Sequence, residues 1–222
     1  NDPSATYSQF LYDSTQKMPS YPDILTYYNI MSSSQISDAI ESIGIEPQIG
    51  DKLISTQSDY IILPYLRLLR PRVHGRVYLK TANPFEQVGI NMDYPKDEHT
   101  HRQRVRASVA AMEFYERMSE TESFRQNNIK AHKMNVEGCD GSWECLIRYL
   151  TGTGYHSAST CKMGPQNDPD AVVDYTLKVY GVQGLRVVDA SIMPNLTSGN
   201  SAIPTIMIAT KAGHMIEMDW KK

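Results

Sequence analysis

The strongest constraint in this 222-residue sequence is a frame in its last third, which opens with a histidine and closes with an asparagine. His156 begins the segment His-Ser-Ala-Ser-Thr-Cys-Lys-Met-Gly, and Asn200 ends the polar turn Ser-Gly-Asn. Between them, residues 185–191 read Leu-Arg-Val-Val-Asp-Ala-Ser, a β-rich run that predicts a strand. The apolar pattern that begins at residue 203 predicts a terminal helix, and we expect residues 206–209 to lie in the core.

Runs of aromatic and β-branched residues earlier in the chain predict strands. Residues 21–30 and 60–66 are of this kind, and the second reads as a buried strand. Apolar and polar residues alternate from 76 to 80, which predicts a half-buried strand before a turn at 81–85. Residues 1–20 are polar and predict an irregular connector.

Helical spacing appears in two places. Residues 97–118 carry apolar side chains at helical intervals without Pro or Gly, and residues 143–149 predict a second, short helix. Residues 32–59 are Ser-rich and polar, which predicts a surface insertion with room for one short helix. The order of strands, helices, a strand and a terminal helix predicts an α+β protein.

Composition excludes some classes of function. The formal net charge of −3 gives no basic face for nucleic acid. No apolar run approaches the ~20 residues that span a bilayer, so we expect no membrane span. The three cysteines are Cys139, Cys145 and Cys161, and their spacing is not that of a metal site. Their pairing stays open: a disulfide at Cys139 is one alternative in a secreted protein, and Cys161 reads as a small buried side chain.

Several motifs resemble the C-terminal part of the glucose–methanol–choline (GMC) oxidoreductases, flavin enzymes that oxidise alcohols. They are the His-x-x-x-Thr-Cys-x-Met-Gly frame from His156, the Val-Asp-Ala-Ser segment at 188–191, and Pro-x-x-x-Gly-Arg at 71–76. The Trp-Glu-Cys-x-Ile-Arg segment at 143–148 is most similar to the insect branch, with its glucose dehydrogenase-like and ecdysone oxidase-like enzymes. The resemblance favours a secreted protein.

The resemblance also implies a division of the chain. Residues 1–19 would be a connector, and 20–155 a substrate-binding domain with an antiparallel sheet and helices on one face. Residues 156–222 would supply the terminal strand and helix of an FAD-binding α/β domain. The G-x-G-x-x-G fingerprint that anchors FAD is not recognisable, because Ser157 stands where Gly152 and Gly154 would need a third glycine. We therefore expect a fragment whose N-terminal FAD-binding half is missing.

The family's chemistry assigns roles to the polar pair of the frame. His156 corresponds to the base that takes the hydroxyl proton of a small alcohol or sugar, while the hydride passes to flavin N5. Asn200 corresponds to the residue that binds the substrate oxygen. Oxygen or a quinone would then accept the electrons. Without a catalytic role, His156 would be an ordinary histidine with hydrogen-bond partners in the fold, and Asn200 would simply be a residue of a turn. The shared frame argues against both alternatives.

The remaining expected contacts are with FAD, and we expect no metal site. By resemblance, the backbone of Asp189 and Ala190 lies against the pyrophosphate and ribityl chain, although Asp189 could simply end a strand and cap the next turn of the chain. The first turn of the terminal helix would face the flavin N1–C2=O edge with a partial positive charge. Its expected contact residues are Ala202, Ile203, Pro204 and Thr205.

One position departs from the family. Ser159 stands where the family usually has glycine, and its side chain is expected to alter the backbone close to His156. Two other readings stay open: a truncated, non-catalytic paralogue that acts as a binding module, and a two-chain enzyme whose flavin site is completed by another polypeptide.

Overall fold

The chain divides into two units, each formed by two separate stretches of sequence. The computed structural model describes residues 7–12, 14, 22–41, 59–71, 75–92 and 98–221. The first unit combines Asn1–Leu69 with Asp97–Gly154, and the second combines Arg70–Lys96 with Tyr155–Lys222. Residues 70–96 thus group with the C-terminal stretch, whereas the sequence placed them in a domain at 20–155. The functional roles of the three predicted segments stay predictions.

An antiparallel sheet of three strands organises the first unit. Its strands are β1 (Tyr7–Tyr12), β2 (Ile24–Ser32) and β3 (Tyr60–Leu68), in the order β1-β2-β3. The strands predicted at 21–30 and 60–66 are confirmed as β2 and β3, but the prediction that the second is a buried strand was wrong, because β3 has an exposed first residue and only partly buried ones after it. The prediction of an irregular connector was wrong for β1, which pairs with β2 along its whole length. The residues of β1, Tyr-Ser-Gln-Phe-Leu-Tyr, are mostly aromatic or apolar, so the polar character of residues 1–20 as a whole concealed a local strand pattern.

Four helices accompany this sheet in the described residues. They are α1 (Ile36–Glu41), α2 (Glu98–Ser119), α3 (Glu122–Gln126) and α4 (Trp143–Leu150). The helices predicted at 97–118 and 143–149 are confirmed as α2 and α4, and α1 is the short helix of the predicted insertion. The rest of that insertion, residues 42–58, lies outside the described residues.

One of the two buried clusters of the first unit forms where α2 packs on β2 and β3. Ile24, Ala111 and Tyr115 are buried there, and the Tyr115 hydroxyl donates a hydrogen bond to the buried Thr26 side chain. The Tyr115 ring also meets Tyr28 edge to face, with centroids 5.5 Å apart. Burying a polar strand position such as Thr26 is tolerated because its hydroxyl has this partner.

The start of α4 is held by a disulfide and a side-chain cap. Cys139 pairs with Cys145, which resolves the pairing that the sequence left open, and Cys161 is a free thiol. Between the paired cysteines, Ser142 caps α4 by accepting a hydrogen bond from the Cys145 N–H at 3.1 Å. The cap satisfies one of the amide groups that the first helical turn leaves unpaired.

Residues 70–96 contribute a short two-stranded ladder to the second unit. It pairs β4 (Arg76–Tyr78) with β5 (Gly89–Asn91) in antiparallel register. The predicted strand from Arg76 is therefore present, but the prediction that it is half-buried was wrong. Val77 is 47% exposed and Tyr78 50%, because no described element covers this pair of strands.

Residues 155–221 are largely irregular until the terminal helix, α5 (Ala202–Trp220). The prediction of a strand at 185–191 was wrong. Arg186 forms only an isolated bridge with Lys178, and Ala190–Ile192 is a 3-10 helix. A β-rich run needs a neighbouring strand to form a ladder, and the described residues offer only short bridges. The predicted terminal helix is confirmed.

The core of the second unit uses one stripe of α5. Ile208 and Ala212 are buried with Val173 and Ile192. The prediction that all of residues 206–209 lie in the core was wrong, since Ile206 is 60% exposed and only Ile208 is buried in that run. A helix that packs on one side buries only the positions that share its inner face.

The described structure mixes helices with small antiparallel sheets, as the α+β prediction required. None of its helices combines the length and the apolar character needed to cross a bilayer.

We predict that Ser159→Gly stabilises the protein by about 0.5 to 1 kcal/mol. Ser159 has a φ of 72°, in the left-handed region where a side chain costs about 1–2 kcal/mol, and the entropy cost of glycine offsets part of that gain. Thermal unfolding measures the difference. Ser157→Gly is the matched control: Ser157 is not among the residues with positive φ, so the same change should destabilise. Equal effects of the two variants would contradict the argument.

We also predict an acid-sensitive contribution from Glu116. Trp143 Nε1 donates to Glu116 Oε2 at 2.8 Å, and Lys133 Nζ lies 3.2 Å from Oε1; these contacts, the Trp143 bond first, lower the pKa of the carboxyl. A lowered folded-state pKa gives stability that is present above the ordinary carboxyl pKa and is lost as pH falls through the folded value. Glu116→Gln should cost about 1 kcal/mol at pH 7, because solvent screens this partly exposed pair.

The difference between wild type and Glu116→Gln should shrink as the buffer is made acidic. The exposed Glu113, on the same helix, supplies the control substitution Glu113→Gln, which should leave the unfolding midpoint unchanged. A gap that stays constant from pH 7 to acid would show that the ionised carboxylate does not stabilise the fold.

Candidate active site

The histidine and the asparagine of the C-terminal frame meet in the second unit. His156 Nε2 lies 3.0 Å from Asn200 Oδ1. The other ring nitrogen, Nδ1, lies 2.9 Å from the hydroxyl oxygen of Ser201. His156 is partly buried and Asn200 is exposed, so the ring is held on two sides while the pair stays open to a ligand. The structure therefore brings the two predicted residues into hydrogen-bond contact across 44 positions of sequence.

Backbone hydrogen bonds hold the segment that follows His156. The N–H groups of Ser159, Cys161 and Met163 donate to the carbonyls of residues 190, 191 and 192 at 3.4, 3.0 and 2.8 Å. These bonds replace a regular ladder and tie the frame's first half to the 3-10 helix Ala190–Ile192. The position of His156 is thus set by a segment with fixed hydrogen-bond partners.

A second set of contacts holds the loop before Asn200. Gly199 has a φ of 148°, a conformation that side chains rarely adopt, and it turns the chain into Asn200. The guanidinium of Arg70 donates to Ser198 Oγ at 2.7 Å. This bond joins the two stretches of sequence that make up the second unit, two residues before Asn200.

Asp189 acts as a cap in this structure. Its carboxylate accepts a hydrogen bond from the Ser191 N–H at 2.7 Å, at the start of Ala190–Ile192. Ala190 contributes its carbonyl to Ser159, which connects both residues to the segment after His156. The local capping role does not test the expected backbone contact with FAD, and the cofactor roles of Asp189 and Ala190 stay predictions.

The expected flavin-edge residues form the first turn of α5. Ala202 and Ile203 are exposed, with Ile203 at 74%, and Pro204 lies in the first turn as predicted. Thr205 makes the first intrahelical bond, from its N–H to the Ser201 carbonyl at 3.0 Å. A helix start of this kind presents partial positive charge beside the His156–Asn200 pair. The contacts of these four residues with FAD stay predictions.

Sequence reasoning missed Ser201 and Arg70. Ser201 follows Asn200 directly and precedes the helical run, so a serine at a helix start was visible as a signal. Its contact with His156 depends on how the helix start folds back, which spacing does not show. Arg70 lies more than 100 positions from Ser198, and its contact leaves no local trace in the sequence.

Two clefts lie elsewhere in the described part of the chain. The larger, about 710 Å³, is lined by charged residues of α2 and α3 such as Glu113, Arg117 and Arg125. The smaller, about 290 Å³, lies beside Arg186 and Asp219. Neither includes the His156–Asn200 pair, so we place the candidate site by its chemistry rather than by cavity size. No group of three His, Cys, Asp or Glu side chains gathers as metal ligands within the described residues.

Comparisons with solved structures show the same architecture. The chain superimposes on a variant of the formate oxidase of Aspergillus oryzae with a TM-score of 0.67, at 19% identity, over 91% of this chain and 33% of that one. A pyridoxine 4-oxidase gives a TM-score of 0.63 at 21% identity, over 89% of this chain and 35% of that one. At these identities the likeness concerns the fold.

Sequence comparisons give relatives of the expected branch. Glucose dehydrogenase (FAD, quinone) of Drosophila melanogaster is 35% identical over 209 residues, which are 91% of this chain and 31% of that protein. Ecdysone oxidase of Bombyx mori is 30% identical over 206 residues, which are 90% of this chain and 29% of that protein. The chain thus spans about a third of the length of these relatives.

A family model described as GMC oxidoreductase matches residues 71–209. That range contains the His-x-x-x-Thr-Cys-x-Met-Gly frame, the Val-Asp-Ala-Ser segment and Asn200. The resemblance read from the motifs is confirmed, and this chain belongs to the GMC oxidoreductase family.

Proposed function

We propose that these residues form the C-terminal part of an FAD-dependent enzyme that oxidises an alcohol or sugar hydroxyl, with oxygen or a quinone as electron acceptor. The observation that carries the proposal is the contact between His156 Nε2 and Asn200 Oδ1 at 3.0 Å. It occurs inside the segment that matches the family. Retention of both residues in contact favours this proposal over a truncated, non-catalytic paralogue.

The pair supplies the proton chemistry. A neutral imidazole can take the hydroxyl proton of the substrate, and the general-base role suits histidine near neutral pH. The Asn200 amide can donate a hydrogen bond to the substrate oxygen, where negative charge develops as the proton leaves. Asn200 Oδ1 can only accept, so Nε2 is the donor in the observed contact. For Nε2 to act as the base, the substrate hydroxyl would replace this contact and the neutral ring would carry its proton on Nδ1.

The residues around the pair fit a bound flavin. When bound, FAD accepts the hydride that leaves the alcohol carbon. The first turn of α5, from Ala202 to Thr205, is exposed at its first two residues and offers N–H groups and a partial positive charge to an electron-rich ring edge. In this proposal, the backbone of Asp189 and Ala190 borders the pyrophosphate and ribityl chain, while the Asp189 carboxylate keeps its capping bond to Ser191.

The flavin site also needs a dinucleotide-binding unit. The chain spans 31% of the Drosophila glucose dehydrogenase, and its sequence shows no G-x-G-x-x-G fingerprint. We infer that an N-terminal unit, on the same or a separate polypeptide, supplies the pyrophosphate site. Residues 20–155 would then contribute to substrate binding, and 156–222 would complete the FAD-binding domain.

We predict that His156→Ala lowers the rate of flavin reduction by about 10², the usual scale for an acid–base group. The measurement uses the completed enzyme, in which the dinucleotide-binding unit is present and FAD is bound: alcohol substrate is mixed in rapidly and the loss of oxidised-flavin absorbance is followed. Removing the imidazole leaves the hydroxyl proton without a positioned acceptor, so the change should appear in the reduction step itself.

His132→Ala is the matched control for this experiment. His132 is exposed and lies in the other unit, so the same substitution there should leave the rate unchanged. Flavin reduction at the wild-type rate in His156→Ala would remove His156 from the mechanism and refute the proposed function.

We predict further that the isolated 222 residues do not retain FAD. They hold the expected flavin-edge turn but no recognisable pyrophosphate anchor. Gel filtration after incubation with FAD should give a protein peak without flavin absorbance. A flavin band that elutes with the protein would show that these residues bind the cofactor unaided, and would contradict the need for a separate dinucleotide-binding unit.

A further inference from the structure

Ser201 occupies a helix cap without using its side chain as one. It is the N-cap of α5, a position where serine usually accepts a hydrogen bond from the second or third helical N–H. No such bond forms, and the third helical residue is Pro204, which has no N–H to donate. The contrast is Ser142, which caps α4 by accepting from Cys145 N–H at 3.1 Å.

The hydroxyl of Ser201 is instead directed at the candidate base. Its oxygen lies 2.9 Å from His156 Nδ1, while Nε2 lies 3.0 Å from Asn200 Oδ1. A hydroxyl can donate to an unprotonated ring nitrogen or accept from a protonated one. Ser201 can therefore stay bonded to Nδ1 both before and after His156 gains a proton. When both ring nitrogens carry protons, each N–H has an oxygen acceptor.

We propose that Ser201 is a positioning residue that holds the His156 ring through Nδ1, so that Nε2 receives the substrate proton. The inference rests on the proposed function and adds to it the residue that orients the base. In the proton transfer, the O–H bond of the alcohol breaks and an N–H bond forms at Nε2. Before the transfer, the neutral ring carries its one proton on Nδ1, donated to Ser201 Oγ, and the substrate hydroxyl takes the place of Asn200 Oδ1 at Nε2. After the transfer the Nδ1–H is still donated to Ser201 Oγ, so the charged ring remains paired on that side.

Pro204 makes this arrangement specific. If the hydroxyl of a cap serine can reach a helical N–H, its hydrogen bond to that N–H competes with its hydrogen bond to the histidine. Because the third helical position lacks an N–H, only the N–H of Ile203 could compete, and Ser201 forms no side-chain cap bond to it. The helix start keeps the Ser201 carbonyl occupied instead: the N–H and hydroxyl of Thr205 donate to it at 3.0 and 2.7 Å.

The test compares Ser201→Ala with Ser201→Thr in the completed enzyme, which includes the dinucleotide-binding unit and bound FAD. Ser201→Ala removes the hydroxyl and should slow flavin reduction about tenfold, which corresponds to about 1.4 kcal/mol. Ser201→Thr keeps a hydroxyl at the same atom and should stay within about twofold of wild type, since threonine is also accepted at a helix cap. Ser201→Ala at the wild-type rate, or Ser201→Thr as slow as Ser201→Ala, would overturn the proposal.

A second readout does not depend on activity. Nitrogen-15 spectra of histidine-labelled protein distinguish protonated from unprotonated ring nitrogens, and His156→Ala identifies the signals of His156 by their loss. We expect one dominant neutral tautomer in wild type and in Ser201→Thr, and a mixture of tautomers in Ser201→Ala. Identical His156 spectra in all three proteins would show that Ser201 does not orient the ring.

Two further variants separate the reasons for failure. Ser142→Ala removes a working cap, so it should lower the thermal unfolding midpoint and leave flavin reduction unchanged. Ser201→Ala should do the reverse, because its side chain caps nothing. If His156→Ala itself reduces flavin normally, the proposed function fails; if only Ser201→Ala does, the base stands and its positioning residue is wrong.

Discussion

The candidate site depends on backbone hydrogen bonds between residues 159–163 and 190–192. Neither stretch is a strand, yet three N–H groups of the first donate to three consecutive carbonyls of the second. A buried amide that loses its partner costs about 1–3 kcal/mol, more than the bond itself contributes to net stability. The segment therefore has little freedom to shift alone. His156 lies three residues before the first of these bonds, and its ring nitrogens contact Asn200 and Ser201 at the start of α5.

Backbone strain is located at the first of these anchors. Ser159 combines a left-handed φ of 72° with a hydrogen bond from its N–H to the Ala190 carbonyl. A glycine would adopt this conformation without steric cost. The serine is held in place because the bonds at Cys161 and Met163 fix the chain direction on its other side. Strain retained next to a functional group is common where the surrounding contacts determine the backbone. Here it adjoins the candidate base.

The sequence predicted those elements whose burial comes from nearby packing. The helix α2 could be predicted from the helical spacing of its apolar side chains, because one face of it packs on the sheet. Ala111 and Tyr115 lie on that face. Prediction failed where the presence of a pairing strand determines whether a segment is a strand. β1 pairs with β2, and residues 185–191 form no ladder in the described structure. In the site, the motif frame identified His156 and Asn200. Ser201 was missed because its role depends on two facts together, a proline in the first helical turn and a ring within reach.

The first turn of α5 shows a conflict between stability and binding. Ile208 and Ala212 face inward and are buried, whereas Ile203 and Ile206 remain exposed at 74% and 60%. A helix start that presents its N–H groups to a ligand cannot be covered by other residues of the same chain. Its side chains therefore stay exposed until the ligand or a partner covers them. Burial of a large apolar side chain contributes about 1.5–3 kcal/mol. In the proposed enzyme, a flavin ring and the dinucleotide-binding unit would supply that cover, and cofactor binding would then stabilise the same helix start that orients His156 through Ser201.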